Sequence, residues 1–135
     1  MTESMTGAAA RLDNRRILVA EDEYAIADAI TAVLADAGAE VLGPVPTVAR
    51  VLRLATAPGR LDGALLDVNL RGEAIWPVVD ALRACGVPVV LTTGYGSDAI
   101  PQAYARLPRC EKPATGRDLV RSLTHELALQ PLPEV

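Results

Sequence analysis

Apolar residues recur along this chain in two rhythms, unbroken short runs and longer stretches with three-and-four spacing. Ile17-Leu18-Val19-Ala20, Ala64-Leu65-Leu66 and Val87-Pro88-Val89-Val90-Leu91 are unbroken. Strands that are continuously apolar rather than alternating are buried on both faces, as in a parallel sheet. With the shorter Glu40-Val41-Leu42 and Arg109-Cys110-Glu111, the pattern predicts five strands, at 16–20, 40–42, 62–67, 87–92 and 109–111.

Helical spacing fills the intervals. Residues 23–37 place Ile26, Ile30, Val33, Leu34 and Ala37 on one face, with Gly38 as the stop signal. Thr47 can cap a second helix with face Val48, Val51, Leu52 and Ala55, ended by Pro58-Gly59. A third spans 73–84, with Ile75, Val78, Val79 and Leu82 inward and Pro77 early, where proline is tolerated. The last, after Thr115, spans 116–129 with Leu119, Val120, Leu123 and Leu127 inward. Residues 97–106 carry only a weak pattern interrupted by Pro101, which predicts a short or distorted helix. Residues 1–13 and 130–135 read as tails around a domain at 14–129. Strands alternating with helices define an α/β doubly wound five-stranded parallel sheet. Its expected order is 2-1-3-4-5, with the ligand site at the carboxyl ends of the first and third strands.

Composition narrows the class. The chain has 135 residues, half of them hydrophobic, enough for one domain with one core. With one Trp, three Tyr and no Phe, that core is built of Ala, Val, Leu and Ile. A net charge of −4 and the lack of a Lys/Arg run argue against nucleic-acid binding. Apolar runs fall short of the roughly 20 residues of a membrane span, and the N-terminus lacks a signal-peptide layout. The expectation is a cytoplasmic protein without membrane contact, with Cys85 and Cys110 as reduced, partly buried thiols.

The chemistry lies where the strands stop. The first ends at Glu21-Asp22 and the third at Asp67, which brings three carboxylates to one sheet edge. Like charges so placed repel and raise one another's pKa unless a cation sits among them. In the expected order Thr93 ends the strand beside Asp67. Lys112 ends the next, about 10 Å from Asp67 at the usual strand spacing, a gap that a lysine spans for the most part. Hard oxygen ligands suit Mg²⁺. A carboxylate beside Mg²⁺ and an ammonium can take a phosphoryl group, a reaction that needs mainly positioning and charge neutralisation.

At this point the sequence resembles the receiver domain of two-component response regulators, over about residues 16–129. Glu21-Asp22, Asp67, Thr93 and Lys112-Pro113 carry the resemblance, in family order. It implies a flavodoxin-like receiver fold, and phosphoryl acceptance on Asp67 from a sensor histidine kinase or histidine phosphotransfer protein. It further implies Mg²⁺ held by Asp22, Asp67 and the Asn69 backbone carbonyl, with Glu21 acting through water. Thr93 and Lys112 would contact the phosphoryl group, and Lys112-Pro113 would be cis. Many receivers carry Tyr or Phe three residues before the lysine; here that position is Arg109. Thr93-Gly94-Tyr95-Gly96 resembles a receiver subgroup with Thr-Gly-Tyr at this turn, which makes Thr93 and Tyr95 the expected switch pair and 94–104 the segment expected to order on phosphorylation.

Two other readings compete with a single-domain phosphorylation switch or phosphate shuttle. A haloacid-dehalogenase-like Mg²⁺-dependent phosphatase also uses a strand-end Asp. It wants a second Asp two residues later, where this chain has Asn69, and its nucleophile follows the first strand rather than the third. A receiver-like binding module without phosphorylation would not need Asp22, Asp67, Thr93 and Lys112 together. Trp76 and Tyr104 read as packing residues or partner contacts, and His125 as a solvent-facing residue late in the last helix.

Overall fold

The computed structural model describes residues 11–94 and 100–129. In chain order the elements are β1 (Arg16–Ala20), α1 (Tyr24–Asp36), β2 (Glu40–Val45), α2 (Val48–Ala55), β3 (Gly63–Asp67), β4 (Asn69–Leu70), β5 (Glu73–Ala74), α3 (Trp76–Ala84), β6 (Val89–Thr93), a 3₁₀ turn (Gln102–Tyr104), β7 (Arg109–Glu111) and α4 (Gly116–Ala128). The main sheet is parallel, in order β2-β1-β3-β6-β7. Counting these five strands alone, that is the expected 2-1-3-4-5 order.

Each strand of the centre buries both faces, so the core falls into two halves. One holds Leu18, Leu66 and Leu91 with the inward faces of α2 and α3. The other holds Ile17, Val19, Leu65 and Val90 with α1 and α4. All four inward residues predicted for α3 (with its preceding Ile75) and for α4 are buried. Of the α2 face only Val51 is fully buried, and Val48, Leu52 and Ala55 pack at the margin. Thr47 and Thr115 accept from the backbone N–H of Arg50 and Asp118, which satisfies donors that a helix start leaves free.

The structure departs from the predicted elements at four places. Strand β2 runs through Gly43-Pro44 to Val45, with a register shift where Val45 meets Ala20. Proline is tolerated there because β2 is an edge strand. Residues 69–74, read as loop and helix start, form a two-residue hairpin in which Arg71 (φ 50°) and Gly72 (φ 88°) both take the left-handed conformation. The weak helix at 97–106 is, among the described residues, only the 3₁₀ turn. Residues 11–13 are not loose: Leu12 is buried, its N–H donates to the Ala37 carbonyl, and Arg11 bonds the Asp36 carbonyl. Among the described residues no helix is long and apolar enough to cross a membrane.

Candidate phosphoacceptor site

The sheet order places the ends of β1 and β3 side by side, and with them the three predicted carboxylates. Oxygens of Glu21, Asp22 and Asp67 lie within 4.8 Å of one another. Glu21 and Asp67 are buried, at 2% and 5% exposure, while Asp22 is partly exposed. Lys112 reaches the pair from across the sheet. Its ammonium donates to Asp67 Oδ2 at 2.7 Å and to Glu21 Oε2 at 3.3 Å. Its backbone N–H donates to the Thr93 carbonyl at 2.8 Å, which fixes where the side chain starts. The Lys112-Pro113 bond is cis, as the resemblance implies; Gly43-Pro44 is cis as well.

Backbone N–H groups hold the carboxylates in place. Asn69 N–H donates to Asp67 Oδ1, Glu23 N–H to Glu21 Oε2, and Arg71 N–H to Asp22 Oδ2. The last contact explains the hairpin. The left-handed conformation at Arg71, uncommon for a residue with a Cβ, turns its N–H toward Asp22. Asn69 Oδ1 accepts from Gly72 N–H and closes the same turn.

The electrostatics are unbalanced. Three carboxylates face one ammonium. Burial pushes the Glu21 carboxyl above its ordinary 4.5 and the nearby Asp67 adds to this, against the Glu23 N–H and Lys112, which lower it. Burial alone would lower Lys112, but its bonds to Asp67 and Glu21 raise it above 10.5, so it stays charged. Glu21 Oε1 stands 3.0 Å from the ammonium yet accepts no hydrogen bond. A buried carboxylate oxygen that accepts no hydrogen bond, in an all-oxygen donor set with excess negative charge, fits a small divalent cation such as Mg²⁺.

A cavity of about 680 Å³ opens from this cluster. Asp22, Asp67, Asn69, Thr92, Gly94 and Lys112 form its polar end, and Ile26, Ile30, Val33 and Leu119 extend it as an apolar trough between α1 and α4. Thr92, not Thr93, pairs in register with Asp67. Thr93 is one residue further, at the end of β6, fully buried. The hydroxyls of both are buried without a partner. Thr92 escapes a reading of the sequence because an apolar run ending in two threonines does not say which one lines up with the acid. Arg109 is exposed and donates to the Ala105 carbonyl, away from the cluster. Tyr95 lies outside the described residues, as do residues 96–99 of the segment expected to order on phosphorylation.

The fold is shared with proteins of known structure. SdrG from Sphingomonas melonis Fr1 is 35% identical, with 86% of this chain and 98% of that chain covered and a TM-score of 0.76. The BeF3-activated conformation of SdrG from Pseudomonas melonis Fr1 is 35% identical over 83% of this chain and 95% of that one, with a TM-score of 0.69. A response regulator receiver protein from Sinorhizobium medicae WSM419 has a TM-score of 0.74 at 22% identity, covering 86% of this chain and 96% of that chain. No protein-family model matches the sequence, and no curated protein does. The chain belongs to the response-regulator receiver-domain family, whose members are phosphoacceptors of two-component signalling.

Proposed function

We propose that this chain is a response-regulator receiver that works as a phosphorylation switch or phosphate shuttle. Asp67 accepts a phosphoryl group from a sensor histidine kinase or histidine phosphotransfer protein in the cytoplasm, and the result is read by protein–protein contact. The supporting observation is the environment of Asp67, which lies at the mouth of the cavity between Lys112 on one carboxylate oxygen and the Asn69 N–H on the other. In the transfer, a carboxylate oxygen of Asp67 forms a bond to phosphorus as the phosphorus–nitrogen bond of a phosphohistidine breaks. The electron pair leaves on the imidazole nitrogen, which is then protonated. Lys112 sits where it can follow the charge from the carboxylate to the new phosphoryl oxygens. The hydroxyl of Thr93, buried without an acceptor, is the group we assign to bond one of those oxygens.

Asp22, Asp67 and the Asn69 backbone carbonyl would hold Mg²⁺ directly and Glu21 through water. The ion would neutralise charge on the phosphoryl oxygens. The apolar trough between α1 and α4 suits a helix of the donor protein that brings its phosphohistidine to the polar end. Residue 69 is an amide, its Oδ1 accepting from the Gly72 N–H, and so offers no second acid for a phosphatase.

Incubation with labelled acetyl phosphate and Mg²⁺ tests the reading. The expected result is acid-stable, base-labile label on the wild type, none on Asp67→Asn, and none in EDTA. A wild type that stays unlabelled sinks it.

A further inference from the structure

A pair of stacked rings lies beyond the acidic pocket, one ring after β3 and the other after β6. One segment follows Asp67. The Val68 N–H donates to the Thr92 carbonyl at 3.1 Å, and the Val68 carbonyl accepts from the Ile75 N–H at 3.1 Å. Ile75 is fully buried, and the next residue is Trp76, the first of α3. The other segment follows β6 and contributes Tyr104, in the 3₁₀ turn. The rings of Trp76 and Tyr104 stack with centroids 4.4 Å apart and planes within 9°.

The stack is clamped from both sides. Tyr104 Oη donates to Asp80 Oδ1 at 2.8 Å. The Arg83 guanidinium lies 5.1 Å from the Tyr104 centroid and donates to the Ala103 carbonyl at 3.1 Å. Trp76, Asp80 and Arg83 are four and three residues apart on α3 and so share one helix face. On the far side Arg109 holds the Ala105 carbonyl at 2.9 Å. One tyrosine is therefore gripped by a helix that starts one hydrogen bond beyond Val68, the residue after Asp67.

We propose that the Trp76–Tyr104 stack is a latch, closed while Asp67 carries no phosphoryl group and loosened when a phosphoryl-sized anion loads Asp67. This rests on the reading of Asp67 as phosphoacceptor and assigns its readout to the contact between α3 and the 3₁₀ turn. The drive is the buried, unpartnered hydroxyl of Thr93 at the end of β6. An anion on Asp67 gives it an acceptor, and a buried donor without a partner is costly enough to move a strand end toward one. The Thr92 carbonyl carries that shift to Val68, and the Val68 carbonyl carries it to Ile75 and Trp76. A packed ring pair answers such a shift by staying or separating, not by gradual deformation.

Trp76 is the single tryptophan of the chain, so tryptophan emission comes from this ring alone. The 135-residue protein in Mg²⁺ is titrated with beryllofluoride while emission is followed. The same proteins are labelled with acetyl phosphate in parallel. The expected result is a saturable emission change in wild type, absent in Asp67→Asn and in Tyr104→Ala, with Tyr104→Ala still labelled. Tyr104→Phe keeps the ring but loses the bond to Asp80. Its emission change should reach half-maximum at about threefold lower beryllofluoride, the effect of one exposed hydrogen bond. It also serves if Tyr104→Ala does not fold. Labelled wild type with unchanged emission overturns the latch and leaves the phosphoacceptor reading standing. So does an undiminished response in Tyr104→Ala, or an unshifted half-maximum in Tyr104→Phe. Absence of label in wild type overturns both.

Discussion

Lys112 Nζ stands 2.7 Å from Asp67 Oδ2 although a whole strand, β6, separates their strands in the sheet. The same ammonium lies 3.0 Å from Glu21 Oε1. One lysine thus serves two carboxylates that are both nearly removed from water.

Lys112→Met should leave those carboxylates buried without their cation. In EDTA the expected loss of stability is about 3 kcal/mol, at the low end for breaking a buried pair because Lys112 keeps some exposure. Mg²⁺ should restore part of it, since the ion would take the same oxygens. Acetyl-phosphate labelling of the variant should slow by about 100-fold, the usual effect of deleting one stabiliser of transition-state charge. Urea titrations with and without Mg²⁺ check the first expectation, and a loss under about 1 kcal/mol would show that the pair is not coupled.

The Thr93 hydroxyl is buried with no partner. Thr93→Val keeps the shape and removes the orphan, so the unmodified protein should gain about 1 kcal/mol. The same change should weaken beryllofluoride binding about tenfold, because one hydrogen bond to a charged group is lost. Calorimetry of binding beside thermal melts measures both, and equal affinity for the two proteins would remove Thr93 from the site.

Gly116 opens α4 where it crosses α1. A Cβ added there would fall 2.5 Å from Val33 Cγ2 and 2.9 Å from Cγ1. Valine is stiff at χ1 and has no easy escape. Gly116→Ala should therefore destabilise by about 1–3 kcal/mol through overpacking, and Val33→Ala in the same chain should recover most of it. A double-mutant cycle in denaturant reads the coupling, and additive costs would place the strain elsewhere.

The two cysteines should differ in reactivity. Cys85 is exposed, contrary to the partial burial expected of it, and Cys110 is half-buried. Burial pushes the Cys110 thiol above its ordinary 9.0, against an opposing hydrogen bond with Ser122. Iodoacetamide at pH 8 should modify Cys85 first, with Cys110 following only as the pH is raised. The sign for stability follows from the same shift. Above 9.0 the unfolded chain gives up this proton before the folded one. The contribution is thus complete below 9.0 and lost as pH rises through the folded value. Equal modification rates, read by mass spectrometry of peptides, would contradict the burial.

Legibility varied with how local the cause was. The strand at 109–111 and the inward faces of α3 and α4 follow from periodicity, and the structure reproduces them; of the α1 face Ile30, Leu34 and Ala37 are buried, with Ile26 and Val33 at the margin. The hairpin at 69–74 stayed hidden because its first left-handed position is Arg71, not the Asn or Gly that usually marks such a turn. What holds it is Asp22, 49 residues earlier in the chain. The extension of β2 through Pro44 was equally unreadable, since a proline is an end signal unless the strand is known to lie at an edge.

Unbroken apolar runs that stop at Glu21-Asp22 and at Asp67 were enough to place three acids at one sheet edge. A strand period and a topological preference are properties of the chain itself. Which threonine pairs with Asp67, how Lys112 reaches two acids, and the meeting of Trp76 with Tyr104 were decided only when the strands took their register and the helices docked. Those contacts join residues 25 to 91 positions apart. Their geometry depends on every element packed between them, and no window of sequence contains it.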